Sequence, residues 1–151
     1  KRPYHTIIPA MVTRLSSPSE ANGRGAGGEG KAGDAVETLY ASFGVMGGFM
    51  QPQGHVQVLS ALLDGGLDPQ SALDLPRFCI DVEEAGGAVA IEEGMPKETM
   101  DALRKMGHPL YEVLGYERAL FGRGQVILRE AETSVLCAGS DPRADGCAMT
   151  L

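Results

Sequence analysis

The chain has 151 residues, 43% hydrophobic and 22% charged, which is an ordinary globular composition and enough for one domain with a real core. A net charge of −7 without any cluster of Lys and Arg excludes a nucleic-acid footprint, and no apolar run approaches the roughly 18 residues of a membrane span. The cysteines, Cys79, Cys137 and Cys147, are odd in number and include no Cys-x-x-Cys, so neither a disulfide framework nor a zinc site is expected.

Thr6 to Val12 reads as a strand, and Pro9 places it at a sheet edge or a bulge. Residues 16–35, rich in Ser, Gly, Ala and Glu, read as a flexible Gly-rich loop. Leu39 to Met46 reads as a buried strand, paired with the first as a hairpin with an oversized tip. Gly47 and Gly48 lead from it into a helix over Gln53 to Leu63, with apolar positions at Val56, Leu59, Leu62 and Leu63. Asp64-Gly65-Gly66 stops that helix, and Asp68 caps a short one over Pro69 to Leu75. Phe78 to Val82 and Ala88 to Glu92 read as short strands joined by a turn. Pro96 to Met106 reads as a helix with Met100, Leu103 and Met106 on one side, closed by Gly107. Leu110 to Val113, Gln125 to Arg129, Val135 to Ala138 and Ala148 to Leu151 read as strands. The turn Asp141 to Gly146, shaped by Asp141 and Asp145, makes the last two antiparallel neighbours. The order predicts a single α+β domain over residues 1–151, with a largely antiparallel sheet and flanking helices.

Several motifs fail for want of context. Gly23 to Gly28 has dinucleotide-fingerprint spacing, and Gly25 to Lys31 nearly matches a phosphate loop. No strand precedes either, no apolar helix follows, and Ala32 stands where the phosphate loop needs a hydroxyl. His5, His55 and His108 lack metal-ligand spacing and read as structural or surface residues, so no metal is expected. The pairs Glu83-Glu84 and Glu92-Glu93 sit beside glycine-rich turns and read as solvated. Met46, Met50, Met95, Met100 and Met106 read as core filler. Cys79 and Cys137, in apolar contexts, read as core residues, with a lean towards a reducing, cytoplasmic compartment. Gly47 and Gly48 carry no β-carbons, so a reactant can approach their N–H groups at the entrance to a helix. They read either as a plain tight turn or as an oxyanion hole.

Lys1 to Pro9, the Gly47-Gly48 pair, Pro76-Arg77-Phe78, Phe121 to Gln125 and Ser140 to Gly146, in this order and spacing, resemble the C-terminal subunit of the γ-glutamyltranspeptidase family. The form Tyr4-His5-Thr6-Ile7-Ile8-Pro9 is similar to its acylase-like branch. The resemblance implies part of an αββα N-terminal-nucleophile hydrolase, cut from a self-processing precursor. A threonine attacks a γ-glutamyl or related amide, and water or an amine resolves the acyl-enzyme, without metal or organic cofactor. Gly47 and Gly48 then supply the oxyanion N–H groups, and His5 and Thr6 contact the substrate carboxylate. Arg77 and Arg143 are expected to be structural, because Arg beside Pro in a turn often bonds local carbonyls or an acid. The start at Lys1 looks like a cut end, and the family's nucleophile lies upstream of it. The chain alone is therefore expected to be inactive, with the rest of the precursor as its partner, a small acyl substrate as its ligand, and self-association over exposed apolar surface. The alternative is a non-catalytic binding or assembly module of the same fold.

Overall fold

The computed structural model describes residues 8–16, 36–80 and 87–149. In chain order the elements are β1 (Ala10–Ser16), β2 (Val36–Met46), α1 (Met50–Leu63), α2 (Pro69–Asp74) and β3 (Phe78–Ile80). There follow β4 (Val89–Glu92), α3 (Lys97–Lys105), β5 (Leu110–Val113), a 3-10 helix (Gly115–Phe121), β6 (Arg123–Arg129) and β7 (Leu136–Ser140). The strands form two sheets, one of four in the order β1-β2-β6-β7 and one of three in the order β3-β4-β5. Every pairing is antiparallel except β4 with β5, which run parallel with α3 as their crossover. The predicted α+β class and largely antiparallel pairing hold.

The β1–β2 hairpin forms, with β1 on the sheet edge. Pro9 stands just before β1, where its missing N–H breaks no ladder bond. A bulge follows: Val12 faces Ala41 and Thr13 faces Leu39, leaving Tyr40 as the extra residue. The Gly-rich stretch from residue 17 to 35 and the Thr6 end of the first predicted strand lie outside the described residues.

Alternation along β2 buries Ala41, Phe43 and Val45. Val126 of β6 faces Phe43, and α1 supplies Val58, Ala61 and Leu62 to the same core, with Ala72 and Leu73 from α2. Full burial of a side chain such as Leu62 or Leu73 stabilises by about 1.5–3 kcal/mol. A second cluster joins Met50, Cys79, Ala90, Val113 and Phe121 under the smaller sheet. Helix α1 begins at Met50 rather than Gln53, because Pro52 falls in the first turn, where its N–H would have had no intrahelical acceptor. Asp68 caps α2 as predicted, accepting from the N–H groups of Gln70 and Ser71 at 3.0 Å each.

The outer edge of β3 is closed by side chains. Gln53 and Gln57, one turn apart on α1, accept from the N–H groups of Ile80 (2.8 Å) and Phe78 (2.9 Å). Their amide NH₂ groups donate back to the carbonyls of Ile80 (3.3 Å) and Phe78 (2.9 Å). Two glutamines thus stand in for a neighbouring strand.

Several expectations are corrected. Ala148 and Met149 form no strand; β7 pairs with β6 instead, and the segment after Ser140 turns inward. Cys137 is exposed on the edge strand β7, whereas Cys79 is buried. Met50 is core, but Met46 and Met106 are exposed. No residue of α3 is fully buried. Glu93 is solvated, yet Glu92 is wholly buried.

Candidate functional site

Gly47 and Gly48 follow the last residue of β2 with φ of +144° and +59°, backbone that favours glycine. Their carbonyls accept from the N–H groups of Met50 (3.0 Å) and Gln51 (3.2 Å), so the turn itself closes the first turn of α1. Their own N–H groups donate to no carbonyl among the described residues, and both glycines are only half-buried. No acidic side chain stands in the first turn of α1, so the positive end of the helix dipole is locally uncompensated. A β-carbon on Gly48 would meet nothing within 4 Å, whereas one on Gly47 would lie 3.1 Å from the Cα of Gly122. The turn therefore combines available donors, a helix N-terminus and open space, which together can stabilise an oxygen that becomes negative.

The floor of the turn is Gly122. At φ +76°, a β-carbon there would strike the Met46 carbonyl oxygen and come within 2.8 Å of Val45 Cγ1. Arg77 holds this segment, donating through Nη1 to the carbonyls of Phe121 (3.2 Å) and Gly122 (3.4 Å) and through Nη2 to Leu73 (3.3 Å). Its Nη2 also pairs with Asp141 at 2.8 Å. Asp141 accepts from the Gly124 N–H (2.7 Å) and from Arg143 Nη1 (3.0 Å).

Arg143 bonds the Leu73 and Leu75 carbonyls at 2.8 Å each and grips both oxygens of Glu92. Glu92 accepts in addition from the Arg77 N–H and from Arg118 Nε, each at 2.8 Å. Arg77, Glu92 and Asp141 are at most 1% exposed. Burial lowers the pKa of Arg77 from its ordinary value against the pull of Asp141, and the charge of Arg143 lowers it further. Burial alone would lower that of Arg143 too, but its bonds to Glu92 and the charge of Asp141 outweigh this and raise it. The structural roles expected of Arg77 and Arg143 are the ones they fill. Glu92 and Gly122 escaped the sequence reading as members of this support, although Gly122 sits inside the Phe121–Gln125 motif.

The other predicted site residues, His5 and Thr6, lie outside the described residues. His55 is structural: its ring nitrogens stand 2.6 Å from the Gln51 carbonyl and 2.7 Å from that of Ile8, tying α1 to the approach to β1. Gln53 is engaged by the edge of β3. Among the described residues no group of His, Cys, Asp and Glu is placed to hold a metal ion.

A family model described as gamma-glutamyltranspeptidase matches residues 1–151. A curated relative, the glutathione hydrolase-like YwrD proenzyme of Bacillus subtilis (strain 168), is 32% identical over 99% of this chain. The chain spans 24% of that relative's length. Cephalosporin acylase from Bacillus halodurans matches 73% of the chain at 45% identity with a TM-score of 0.65, the match covering 20% of the acylase chain. A highly active mutant of gamma-glutamyltranspeptidase from Pseudomonas nitroreducens matches all of it with a TM-score of 0.69, over 64% of that chain. At 21% identity the last likeness speaks for the fold alone.

Proposed function

Because the chain belongs to the gamma-glutamyltranspeptidase family, we propose that it carries the oxyanion-stabilising part of an amide-cleaving active site. A threonine hydroxyl attacks the carbonyl carbon of a γ-glutamyl or related acyl amide. The carbonyl oxygen becomes anionic, and the N–H groups of Gly47 and Gly48 donate to it; the threonine's own α-amine takes the hydroxyl proton and passes it to the nitrogen as the C–N bond breaks, so the amine leaves neutral and an acyl-enzyme remains for water to hydrolyse. His5 and Thr6 hold the carboxylate of the acyl group. The nucleophile belongs to the rest of a longer precursor, onto which this chain packs, since none of Thr6, Thr13, Thr38, Thr99, Thr133 and Thr150 matches the nucleophile motif. With His5 beside Thr6 in a Tyr4-to-Pro9 form similar to the acylase-like branch, hydrolysis of an acidic acyl group is favoured over transfer to an acceptor amine.

The observation that carries this reading is the pair of glycine N–H groups, without carbonyl partners among the described residues, beside open space at a helix entrance. It is tested in enzyme assembled with the rest of the precursor. Gly48→Ala, which finds room for its methyl but is strained at φ +59°, misaims the donor. We expect kcat on a γ-glutamyl anilide to fall by on the order of 10²-fold with little change in KM. Full kcat in that variant would overturn the reading. The 151-residue chain by itself should turn over none of this substrate.

A further inference from the structure

Among the described residues, a cleft of about 580 Å³ opens between the 3-10 helix and the turn after β7. Tyr116, Arg118, Arg123, Arg143 and Asp145 are among its lining. In a chain of net charge −7, the lining of this cleft is cationic: Arg118, Arg123 and Arg143 stand against Asp145. The arginines are not equivalent. The side chain of Arg143 is 1% exposed and fully engaged by Glu92, Asp141 and two carbonyls. Arg118 gives its Nε to Glu92 but remains 34% exposed, and its two terminal nitrogens meet no acceptor among the described residues. Arg123, the first residue of β6, is exposed, and no described residue accepts from its guanidinium.

We propose that this cleft binds a carboxylate, gripped by the planar fork of Arg123, with Arg118, also in its lining, as a second donor. Two parallel N–H donors match the two oxygens of a carboxylate. Asp145 on the wall repels a second negative charge on the bound group itself, which selects against phosphate and leaves a carboxylate group of single charge. In the β2–β6 register Arg123 lies opposite Met46, the residue before Gly47 of the glycine turn. This site does not depend on the chemistry proposed for that turn.

The test is an NMR titration of the chain at constant ionic strength with glutarate, its uncharged diamide, and inorganic phosphate. Glutarate should shift the amides of Ala119, Arg123 and Ala144, and the diamide should not. Arg123→Ala removes an exposed side chain with no described partner and should fold; it should weaken glutarate binding by about tenfold or more. Arg123→Lys, a point charge without the fork, should recover only part of that loss. Absent shifts with glutarate, an Arg123→Ala variant that binds like the original, or phosphate binding as tightly as glutarate would each overturn the assignment.

Discussion

Gly122 packs directly against Gly47, and Glu92 holds Arg77 and Arg143, which support that segment. A methyl on Gly122 collides with the Met46 carbonyl and Val45 and is strained at φ +76°. Gly122→Ala should therefore cost about 2–4 kcal/mol, read as a lower urea midpoint, and should displace the Gly47 amide resonance. An unchanged midpoint would refute the packing argument. Glu92→Gln keeps the shape but removes the charge that Arg143 and Arg118 face, and should cost about 3–5 kcal/mol, since a buried charge left without its partner is expensive. Glu93→Gln, one residue on and exposed, should stay within about 0.5 kcal/mol of the original. Sequence could not tell these two acids apart. The groups that bury Glu92 come from positions 77, 118 and 143, and nothing local announces them. Arg77 and Arg143 were legible because proline beside arginine in a turn is a local signal.

At the scale of the element, amphipathic periodicity located most helices and strands, and capping chemistry fixed α2. Asp68 shows that local logic in titration. The Ser71 hydroxyl, then the Ser71 N–H, hold its carboxyl below its ordinary value of 3.8. A depressed folded-state pKa stabilises above the ordinary value and ceases to do so as pH falls through the folded one. Following the Ser71 amide resonance down in pH should show its capping shift persisting below pH 3.8 and then collapsing; in Asp68→Asn that step should vanish. The edge of β3 carries a second prediction. Gln57→Ala exposes the Phe78 amide to solvent, so its hydrogen exchange should quicken and stability should drop by about 1 kcal/mol. Equal exchange rates would show the glutamine is ornamental. Long-range demands were not legible. The parallel β4–β5 pair depends on where α3 crosses over, and the strand expected at Ala148 is lost because Asp141 and Arg143 draw the preceding turn inward.

Across the whole molecule, burial is lopsided. The face of the larger sheet that holds Phe43 is packed, while on the opposite face Met11 (71% exposed) and Ile127 (48%) flank Ser42 in register. Phe49, Val56 and Leu63, seven residues apart along α1 and its approach, add an exposed apolar stripe. Light scattering on the chain alone should reveal self-association that recedes on co-expression with the rest of the precursor; a clean monomer at high concentration would count against this. The motif order read from the sequence pointed to the family, but which faces stand bare is set by long-range packing that no local pattern announces. The arginine–carboxylate knot has a consequence in time. Arg77 steadies Gly122 beneath Gly47 only once Asp141 and Arg143 have reached it, and both are synthesised after Arg77, Glu92 and Arg118, the other members of the knot. The glycine turn is thus written early and locked late, so a polypeptide released before Asp141 would emerge with that turn unsupported.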